Sequence, residues 1–491
     1  MSLVKTFDPS RRTLLTWGAG LALSAGLPAA QTAHAQSRPG TWISTTQTQP
    51  WQDLSAQMHL SDGVVYDGTG AFVDPAMTYQ TIDGFGGCFN ELGARAFTAL
   101  TPELRHAVAR ELFEPGTGGN LIRCRLPIGA SDYALDWYSY DETPGDFDMT
   151  SFSIERDRHG LIPYIRAAQA FQPDMAFWAS PWSPPTWMKT NKHYAMRPSY
   201  PGAPANNLAP GQEGREGQDM FIQDARYFKA YALYFRKYVE AYRAQGICIS
   251  AVMPQNEFNS AQPFPSCCWT PEGLARFIPY LGAEMTPLNV DVFFGTLERG
   301  DAELFERVYA DPDARKYIKG IGAQWAGKGA IPFIHHAHPE LKVYQSEQEC
   351  GDGKNDWRYA RYTWSLMKLY FKAGASVYDY WNIVNPQGGV SHWGWAQNSF
   401  VSVDEVKGTY SFTPDYYVFK HLSHFVRPGA KRIEAASYTG YDNMLAFQNA
   451  DGRIIVAMQN DLSSDLPVQA VIGGRTLTAT LPADSFNTFA I

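Results

Sequence analysis

Short apolar runs rich in β-branched and aromatic residues recur between residues 79 and 382, and segments with helical periodicity separate most of them. Eight of these runs are predicted as strands: 79–84, 121–127, 176–181, 247–254, 290–295, 320–324, 342–346 and 376–382. An alternation of strand and helix over about eight units is typical of an α/β chain folded as a (β/α)8 TIM barrel. A doubly wound open sheet shows the same alternation, and counting units does not distinguish the two.

Two of the intervening segments begin with strong helix-start signals. Thr101 and Thr270 each stand directly before a proline and a glutamate, which is the order of an N-cap, a first-turn proline and a first-turn acid. A third segment, 219–245, is amphipathic over its whole length and ends before Gly246. Glycine at that position predicts the C-terminal cap of a long helix.

The pattern changes after about residue 420, where short alternating runs follow one another without helical segments between them. These runs are 432–434, 443–448, 453–458, 468–472, 477–480 and 485–490. Asp451-Gly452 and Gly473-Gly474 mark turns. We therefore predict a barrel over 79–420 and a small antiparallel β domain over 421–491, to which residues 36–78 contribute strands.

The first 35 residues have the features of an export signal. Arg11 and Arg12 precede a weakly apolar stretch over 13–27, and Ala33-His34-Ala35 fits a small-x-small cleavage site. We expect a twin-arginine-type signal over 1–35, with an ordinary secretory signal as the alternative, and a periplasmic or extracellular protein. The stretch is too short and glycine-rich for a membrane span, so no stable membrane insertion is expected.

Composition excludes one class of partner and favours another. The chain has 41 basic and 49 acidic residues, a formal charge of −8 and no run of Lys or Arg. This balance argues against nucleic acid as a partner. Aromatic residues make up 14% of the chain, and rings of this kind line many ligand sites.

Metal and cofactor chemistry is not expected. The six cysteines show no C-x-x-C ligand spacing. His335, His336 and His338 are close in sequence, but no carboxylate partner accompanies them, and we predict that they lie on a solvated loop.

Polar and aromatic side chains follow almost every predicted strand, and active sites of barrels lie at these strand ends. The residues are Arg125, Asp132, Trp182, Asn256, Glu257, Gln324, Trp325, Glu347, Trp381 and Asn382. Two carboxylates held across one glycosidic bond are the minimum machinery for cleaving it. Glu257 and Glu347 are the candidates. Glu349 lies on the same face of its strand as Glu347, so alternation alone does not choose between them.

Several blocks resemble glycoside hydrolase family 30, the group that includes lysosomal glucosylceramidase. The blocks are TIDGFGG at 81–87, WASPWSPPTWMKTN at 178–191, QNE at 255–257, YQSE at 344–347, and WN with NPQGG at 381–389. The resemblance spans roughly 78–491 and implies a barrel joined to a small antiparallel β-sandwich. The YQSE match favours Glu347 over Glu349.

The resemblance also implies roles for the strand-end residues. Glu257 is expected to be the general acid and then base, and Glu347 the nucleophile of a retaining mechanism. Arg125 follows the second strand and is expected to keep Glu347 ionised. The expected sugar-binding residues are Asn256 at the 2-hydroxyl, Asp132, Trp182 and Asn385 along the first subsite, Trp325 and Trp381 as aromatic walls, and Gln324 beside them.

Three departures from the family pattern leave the substrate open. Phe258 replaces a proline after Glu257, Gln324 replaces a histidine before Trp325, and 89–91 replaces a Thr/Ser-Asp-Ala run. We expect an exported retaining β-glycosidase acting on a carbohydrate substrate such as a β-glucoside. An endo-acting β-1,6-glucanase and an inactive carbohydrate-binding protein are the alternatives. Closure of the cleft by loops 184–217 and 258–269 decides between exo and endo action, and the oligomeric state stays open.

Overall fold

Eight parallel strand segments form one ring in the computed structural model, which describes residues 40–65, 70–437 and 443–491. The predicted signal segment 1–35 lies outside the described residues. In chain order the segments, named here barrel strands 1 to 8, are Gly84–Cys88, Arg123–Pro127, Ala176–Ser180, Cys248–Val252, Asp291–Val292 with Thr296–Leu297, Gly320–Gln324, Lys342–Glu347 and Ala375–Asn382.

Barrel strand 5 closes the ring by pairing with one neighbour at each of its halves. Val292 pairs with Val252 of strand 4, and Thr296 pairs with Gly322 of strand 6. Between the halves, Gly295 has a φ of 126°, which bends the strand from one partner toward the other. The closed ring confirms the barrel and excludes the open sheet. The prediction of one continuous strand over 290–295 was wrong because of this bend.

Barrel strand 1 also differs from its prediction of 79–84. Residues up to Thr81 belong to the strand Ala71–Thr81, which pairs with Lys431–Ser437 in the β domain. The barrel strand begins only at Gly84. Its glycines argue against a strand by propensity, but a Cβ at Gly86 would lie 1.6 Å from the carbonyl oxygen of Arg123. Close packing in the barrel therefore requires glycine there.

Helices surround the barrel strands. Their bounds are Glu91–Thr98, Pro102–Phe113, Glu155–His159, Leu161–Gln169, Ala225–Ala244, Pro271–Met285, Glu303–Tyr309, Pro312–Arg315, Ile331–Ala337, Trp357–Lys372 and Pro414–Ser423. Short 3-10 turns occur at Ser55–Gln57, Thr186–Met188, Thr286–Leu288 and Trp325–Gly329. No helix within the described ranges is long and apolar enough to cross a bilayer.

The predicted helix starts at Thr101 and Thr270 are confirmed. Each hydroxyl accepts a hydrogen bond from the backbone N–H three residues later. The helix predicted over 219–245 begins later, at Ala225, with Asp224 as its cap. Asp219 instead accepts from the backbone N–H of Thr270 at 2.7 Å, so it ties two segments together before the helix starts.

The β domain is a predominantly antiparallel arrangement of ten strands. They are Thr41–Thr46, Gln52–Asp53, His59–Asp62, Ala71–Thr81, Lys431–Ser437, Met444–Gln448, Ile454–Asn460, Leu466–Ile472, Arg475–Leu481 and Ser485–Ala490. Trp42, Val73, Ile433 and Phe489 are fully buried in its core. A separate three-stranded sheet, Val384–Pro386, Val401–Asp404 and Thr409–Phe412, follows barrel strand 8.

A buried histidine joins the barrel to this domain. His421, on the helix Pro414–Ser423, lies 2.9 Å from the hydroxyls of both Thr45 and Thr488. Burial lowers the pKa of His421 to about 3, so the ring is neutral and one of its nitrogens must accept a hydrogen bond. Strands from both ends of the chain are thereby fastened to the barrel.

Within the described ranges, no group of three or more His, Cys, Asp or Glu residues is arranged to hold a metal ion. His335 and His336 lie on the helix Ile331–Ala337, and His338 follows it and contacts Glu306 at 3.0 Å. The prediction of a solvated loop for the three histidines was therefore wrong. All six cysteines are described and carry free thiols.

Candidate active site

A cavity of about 310 Å³ opens at the C-terminal ends of the barrel strands, and Glu257 and Glu347 both line it. Asp132, Trp182 and Asn256 lie in the same wall. A larger cavity of about 810 Å³ lies in the β domain, but no carboxylate lines it among the residues that the structure describes. Because cleavage of a glycosidic bond needs a carboxyl pair, the smaller cavity is the candidate active site.

Glu347 ends barrel strand 7 and receives three hydrogen bonds. Arg125 Nη1 donates to Oε2 at 2.8 Å, Gln324 Nε2 donates to the same oxygen at 3.2 Å, and Trp325 Nε1 donates to Oε1 at 3.1 Å. Burial raises the pKa of Glu347, and these three donors oppose that rise. A carboxylate with a paired cation and three donors is stabilised in its ionised form.

Arg125 is fully buried beneath the cavity. Its Nη2 donates to Ser180 Oγ at 2.9 Å and to Asn256 Oδ1 at 2.7 Å. The guanidinium carbon lies 4.7 Å from the centre of the Trp178 ring and 4.4 Å from that of Trp182. Hydrogen bonds and ring faces from strands 3 and 4 therefore hold the cation in place below the nucleophile candidate.

Glu257 lies just past barrel strand 4, in a backbone conformation with a φ of 47°. Positive φ is uncommon outside glycine. Here the backbone N–H of Glu257 donates to Thr296 Oγ1 at 2.8 Å, which fixes the turn. Burial and then the charge of Glu347 raise the pKa of Glu257 to about 7. Its carboxyl is therefore protonated at mildly acid pH, as a general acid must be.

Gln324 bridges the two carboxyl groups. Its Nε2 lies 3.1 Å from Glu257 Oε1 and 3.2 Å from Glu347 Oε2, while Ser346 Oγ donates to its Oε1 at 2.9 Å. The two carboxyl oxygens are no farther apart than the sum of the two bonds, 6.3 Å. That limit holds for this pair of oxygens, and it is compatible with the separation of about 5–5.5 Å between the carboxyl groups of retaining glycosidases.

Comparison with known proteins agrees with this geometry. The model of the glycosyl hydrolase family 30 TIM-barrel domain matches residues 82–426, and that of the family's β-sandwich domain matches 429–489. The chain belongs to glycosyl hydrolase family 30. It is therefore a glycoside hydrolase with a carbohydrate substrate. The alternative of an inactive carbohydrate-binding protein is not supported.

Individual relatives cover most of the chain. Mouse lysosomal acid glucosylceramidase is 29% identical over 452 residues, which are 84% of this chain and 82% of the relative. The endo-1,6-beta-D-glucanase of Neurospora crassa is 24% identical over 415 residues, 80% of this chain and 82% of the relative. The crystal structure of SrfJ from Salmonella typhimurium has a TM-score of 0.81 at 23% identity, covering 92% and 99% of the two chains.

Within this family 30 hydrolase, Glu349 is engaged elsewhere. It forms an ion pair with Lys328 and accepts a hydrogen bond from the Tyr362 hydroxyl at 2.6 Å. It does not line the cavity, whereas Glu347 does. The geometry therefore favours Glu347 over Glu349 as the partner of Glu257 in the cavity.

Asp132 stands in the cavity wall with an unsatisfied carboxyl group. Its Oδ1 has no hydrogen-bond partner among the described residues. Burial and the charges of Glu347 and Glu257 raise the pKa of Asp132 well above its usual range. The hydroxyl groups of a ligand would give this carboxyl group the hydrogen bond that it lacks.

Trp381 and Asn385 lie behind the wall rather than in it. Trp381 is fully buried and its ring centre is 5.1 Å from that of Trp182. Its indole N–H, and both amide atoms of Asn385, lack partners within the described part of the chain. Trp325, in contrast, borders the cavity directly.

Several lining residues were not predicted from the sequence: Tyr200, Ser260, Gln262, Phe264, Glu298 and Trp395. Glu298 comes directly after the second half of barrel strand 5, so the strand-end rule would have found it if that strand had been placed correctly. Tyr200 lies on loop 184–217, which was expected at the cleft, whereas the loop that carries Trp395 was not predicted to reach it. Loop 184–217 thus contributes to the cavity through Tyr200.

Proposed function

We propose that this hydrolase is a retaining β-glycosidase that cleaves the O-glycosidic bonds of β-glucosides or related β-glycans. The observation that carries the proposal is the bridge made by Gln324 between Glu257 and Glu347. It keeps one oxygen of each carboxyl group within 6.3 Å of the other, which supports the short carboxyl separation of a retaining mechanism.

In the first step, Glu347 attacks the anomeric carbon and forms a glycosyl ester. The bond from that carbon to the leaving oxygen breaks, and Glu257 gives its proton to this oxygen. The leaving group departs as an alcohol. The ion pair of Arg125 with Glu347 keeps the nucleophile ionised, while Glu257 with its pKa of about 7 still holds its proton.

In the second step, Glu257 acts as a base. Ester formation removes the negative charge of Glu347, which is one cause of the raised pKa of Glu257. Glu257 therefore stays ionised after giving up its proton, and it takes a proton from water as that water attacks the anomeric carbon. The ester breaks, Glu347 is regenerated, and the two displacements together retain the β configuration.

Unsatisfied groups around the nucleophile support binding of a hydroxylated ring. Asn256 Oδ1 already accepts from Arg125, Thr296 and Gln324, so its Nδ2 is the atom left for the 2-hydroxyl of a sugar. Asp132 Oδ1 lacks a partner among the described residues. We assign both groups to the first sugar subsite because hydroxyls would satisfy them.

The named relatives bear on the choice of sugar. One is a lysosomal acid glucosylceramidase and another is an endo-1,6-beta-D-glucanase. Both names refer to a glucose-containing compound, so we propose that glucose binds in the first subsite. An endo-acting β-1,6-glucanase is the second candidate function, supported by the second of these relatives.

The test is hydrolysis of aryl β-glycosides (glucoside, xyloside, galactoside and fucoside) by the purified enzyme, with Glu347→Ala beside it. Proton NMR of the first product formed reports its anomeric configuration. The proposal expects one preferred sugar, a β product and an inactive variant. An α product would overturn the retaining mechanism. Silence across the panel with cleavage of β-1,6-glucan would favour the endo-acting candidate.

We also propose export through residues 1–35, supported by Arg11, Arg12 and the cleavage-site pattern. The test is cell fractionation of the full chain and of an Arg11→Lys/Arg12→Lys variant. Retention of the variant inside the cell and export of the original chain are expected. Equal export of both would contradict the twin-arginine route.

A further inference from the structure

Glu298 is a third acid in the active-site cavity, and the mechanism above does not use it. It follows the strand segment Thr296–Leu297 directly, and it is only 5% exposed. Neither carboxyl oxygen has a hydrogen bond of good geometry within the described ranges, although the backbone N–H groups of Glu298 and Asn259 are near enough to lower the pKa of this carboxyl group. Its nearest charged contact is Arg299 Nε, 3.5 Å from Oε1.

An unsatisfied buried carboxyl group destabilises a fold unless a ligand uses it. Burial and the charge of Glu257 raise the pKa of Glu298 to about 8. The side chain therefore holds a proton below neutral pH and offers both a donor and an acceptor. Because Glu298 lines the cavity, a ligand in that cavity can satisfy it.

Its place on the ring puts Glu298 next to Glu257, the proposed proton donor to the leaving oxygen. Glu257, which protonates the leaving oxygen, follows strand 4, and Glu298 follows the adjacent strand 5. Arg125 belongs instead to strand 2, and Asp132 belongs to the loop after that strand. Since Glu257 must reach the leaving oxygen, a cavity-lining residue on the adjacent strand is placed to contact the group attached to that oxygen.

Other groups nearby suit a sugar. The rings of Tyr200 and Trp395 are nearly parallel, at 28° and 6.4 Å between centres. Tyr200 also donates its hydroxyl hydrogen to Gln262 Oε1 at 3.3 Å, and Gln262 Nε2 donates to Ser260 Oγ at 2.6 Å. Aromatic faces with polar groups between them bind sugar rings, which have C–H faces and hydroxyl edges.

We propose that Glu298 anchors a leaving-group subsite that binds a sugar through its hydroxyls, so that the natural leaving group is a sugar unit rather than a lipid. The inference rests on the proposed β-glycosidase function and specifies its substrate class. An apolar chain in this position would leave both Glu298 oxygens buried without partners, which is unfavourable.

The test compares two substrates with the same glucosyl unit and different leaving groups. One is the best-cleaved β-linked diglucoside among the 1,2, 1,3, 1,4 and 1,6 isomers, and the other is 4-nitrophenyl β-glucoside. For Glu298→Leu we expect kcat/KM on the diglucoside to fall at least about 10-fold more than kcat/KM on the aryl glucoside.

Glu298→Gln is the matched variant, because it keeps one donor and one acceptor. It should retain most of the diglucoside activity. In Glu298→Gln, the basic limb of the pH profile on the aryl glucoside should stay at the same pH. A variant that acted only through the electrostatics of Glu257 would instead move that limb, and it would do so with both substrates. Equal losses on both substrates in either folded variant would overturn the inference.

Measurements on the unaltered enzyme guard against misfolded variants. A sugar leaving-group subsite predicts a higher kcat/KM on the diglucoside than on octyl β-glucoside. The reverse order would overturn the inference and leave the proposed function intact. If the enzyme cleaves no β-glycoside at all, the proposed function is overturned as well.

Discussion

Arg125 and Glu347 form a buried ion pair in which Nη1 lies 2.8 Å from Oε2. The arginine comes from barrel strand 2 and the glutamate from strand 7, so the pairing of strand 8 with strand 1 brings them together. The cation is fully buried and has no solvent contact. The pair therefore links the stability of the barrel to the charge state of the nucleophile.

Removal of this cation should affect both properties. In Arg125→Met the uncompensated Glu347 should cost about 3–5 kcal/mol of unfolding free energy. The pKa of Glu347 should rise, so the acid limb of the kcat/KM profile should move to higher pH. Urea unfolding and the pH profile measure the two effects, and Arg125→Lys serves when the Met variant does not fold.

Arg123 provides the control on the same strand. Its Nε donates to the carbonyl oxygen of Asp83 at 3.3 Å and it does not line the cavity. Arg123→Met should leave the acid limb in place. An unchanged limb in a folded Arg125→Met variant would contradict the assigned role of Arg125, whereas Arg125→Lys keeps a cation and should move the limb less.

Glu347→Gln should abolish the covalent step. The amide is a poor nucleophile, so kcat should fall by on the order of 10⁴-fold or more. Glu349→Gln is the matched control, since Glu349 is paired with Lys328 outside the cavity. Steady-state assays on an aryl β-glucoside measure kcat for the two variants. Loss of activity in the Glu349 variant with retention in the Glu347 variant would reverse the assignment.

Glu257→Ala should slow turnover by about 10²–10⁴-fold, the usual contribution of general acid–base catalysis. With an activated aryl leaving group the glycosyl ester still forms, and its breakdown becomes limiting. Added azide needs no base and should restore turnover, with a β-glycosyl azide as product. A stable variant that azide does not rescue would contradict the acid–base role.

The pKa of about 7 at Glu257 sets the basic limb of the pH profile. Activity should fall as pH rises through this value, because the acid is then lost. Gln324 donates to the Glu257 carboxyl and lowers its pKa, so Gln324→Leu should move the basic limb to higher pH. A limb that stays in place or moves to lower pH would mean that another group controls it.

Asp157 should make the fold less stable as pH rises from mildly acid to neutral. Burial raises the pKa of Asp157 to about 6, although the hydroxyls of Tyr140 and Tyr242 both donate to it at 2.6 Å. An unfolded Asp has a pKa of about 3.9, so the folded state binds the proton more tightly. The stability that this adds at low pH is lost as pH rises through about 6.

Asp157→Asn removes this titration and should reduce the fall in Tm between about pH 4.5 and 7. Asp174 is exposed, and Asp174→Asn is the control that should keep the full pH dependence of Tm. An unchanged Tm difference in the Asp157 variant would show that other buried acids, such as Asp415 with its pKa of about 6, dominate.

Sequence patterns were sufficient where the decisive interactions are local. Thr101 and Thr270 cap helices through hydrogen bonds that span three residues, so the residue order alone predicts them. Glu257 and Glu347 were found because a parallel strand delivers the residue at its end to one rim. Barrel strand 1 was misplaced because its glycines are required by a contact with Arg123, which is distant in sequence.

The sequence by itself determined the strand–helix alternation, the two acids and the family blocks, because periodicity and strand ends are properties of short stretches. Only the tertiary structure decided ring closure at Gly295, the bridge of Gln324 between the acids, and the placing of Glu298 beside Glu257. These depend on packing between segments far apart along the chain. Side-chain distances and burial, which control the pKa of each acid, arise only when those segments meet.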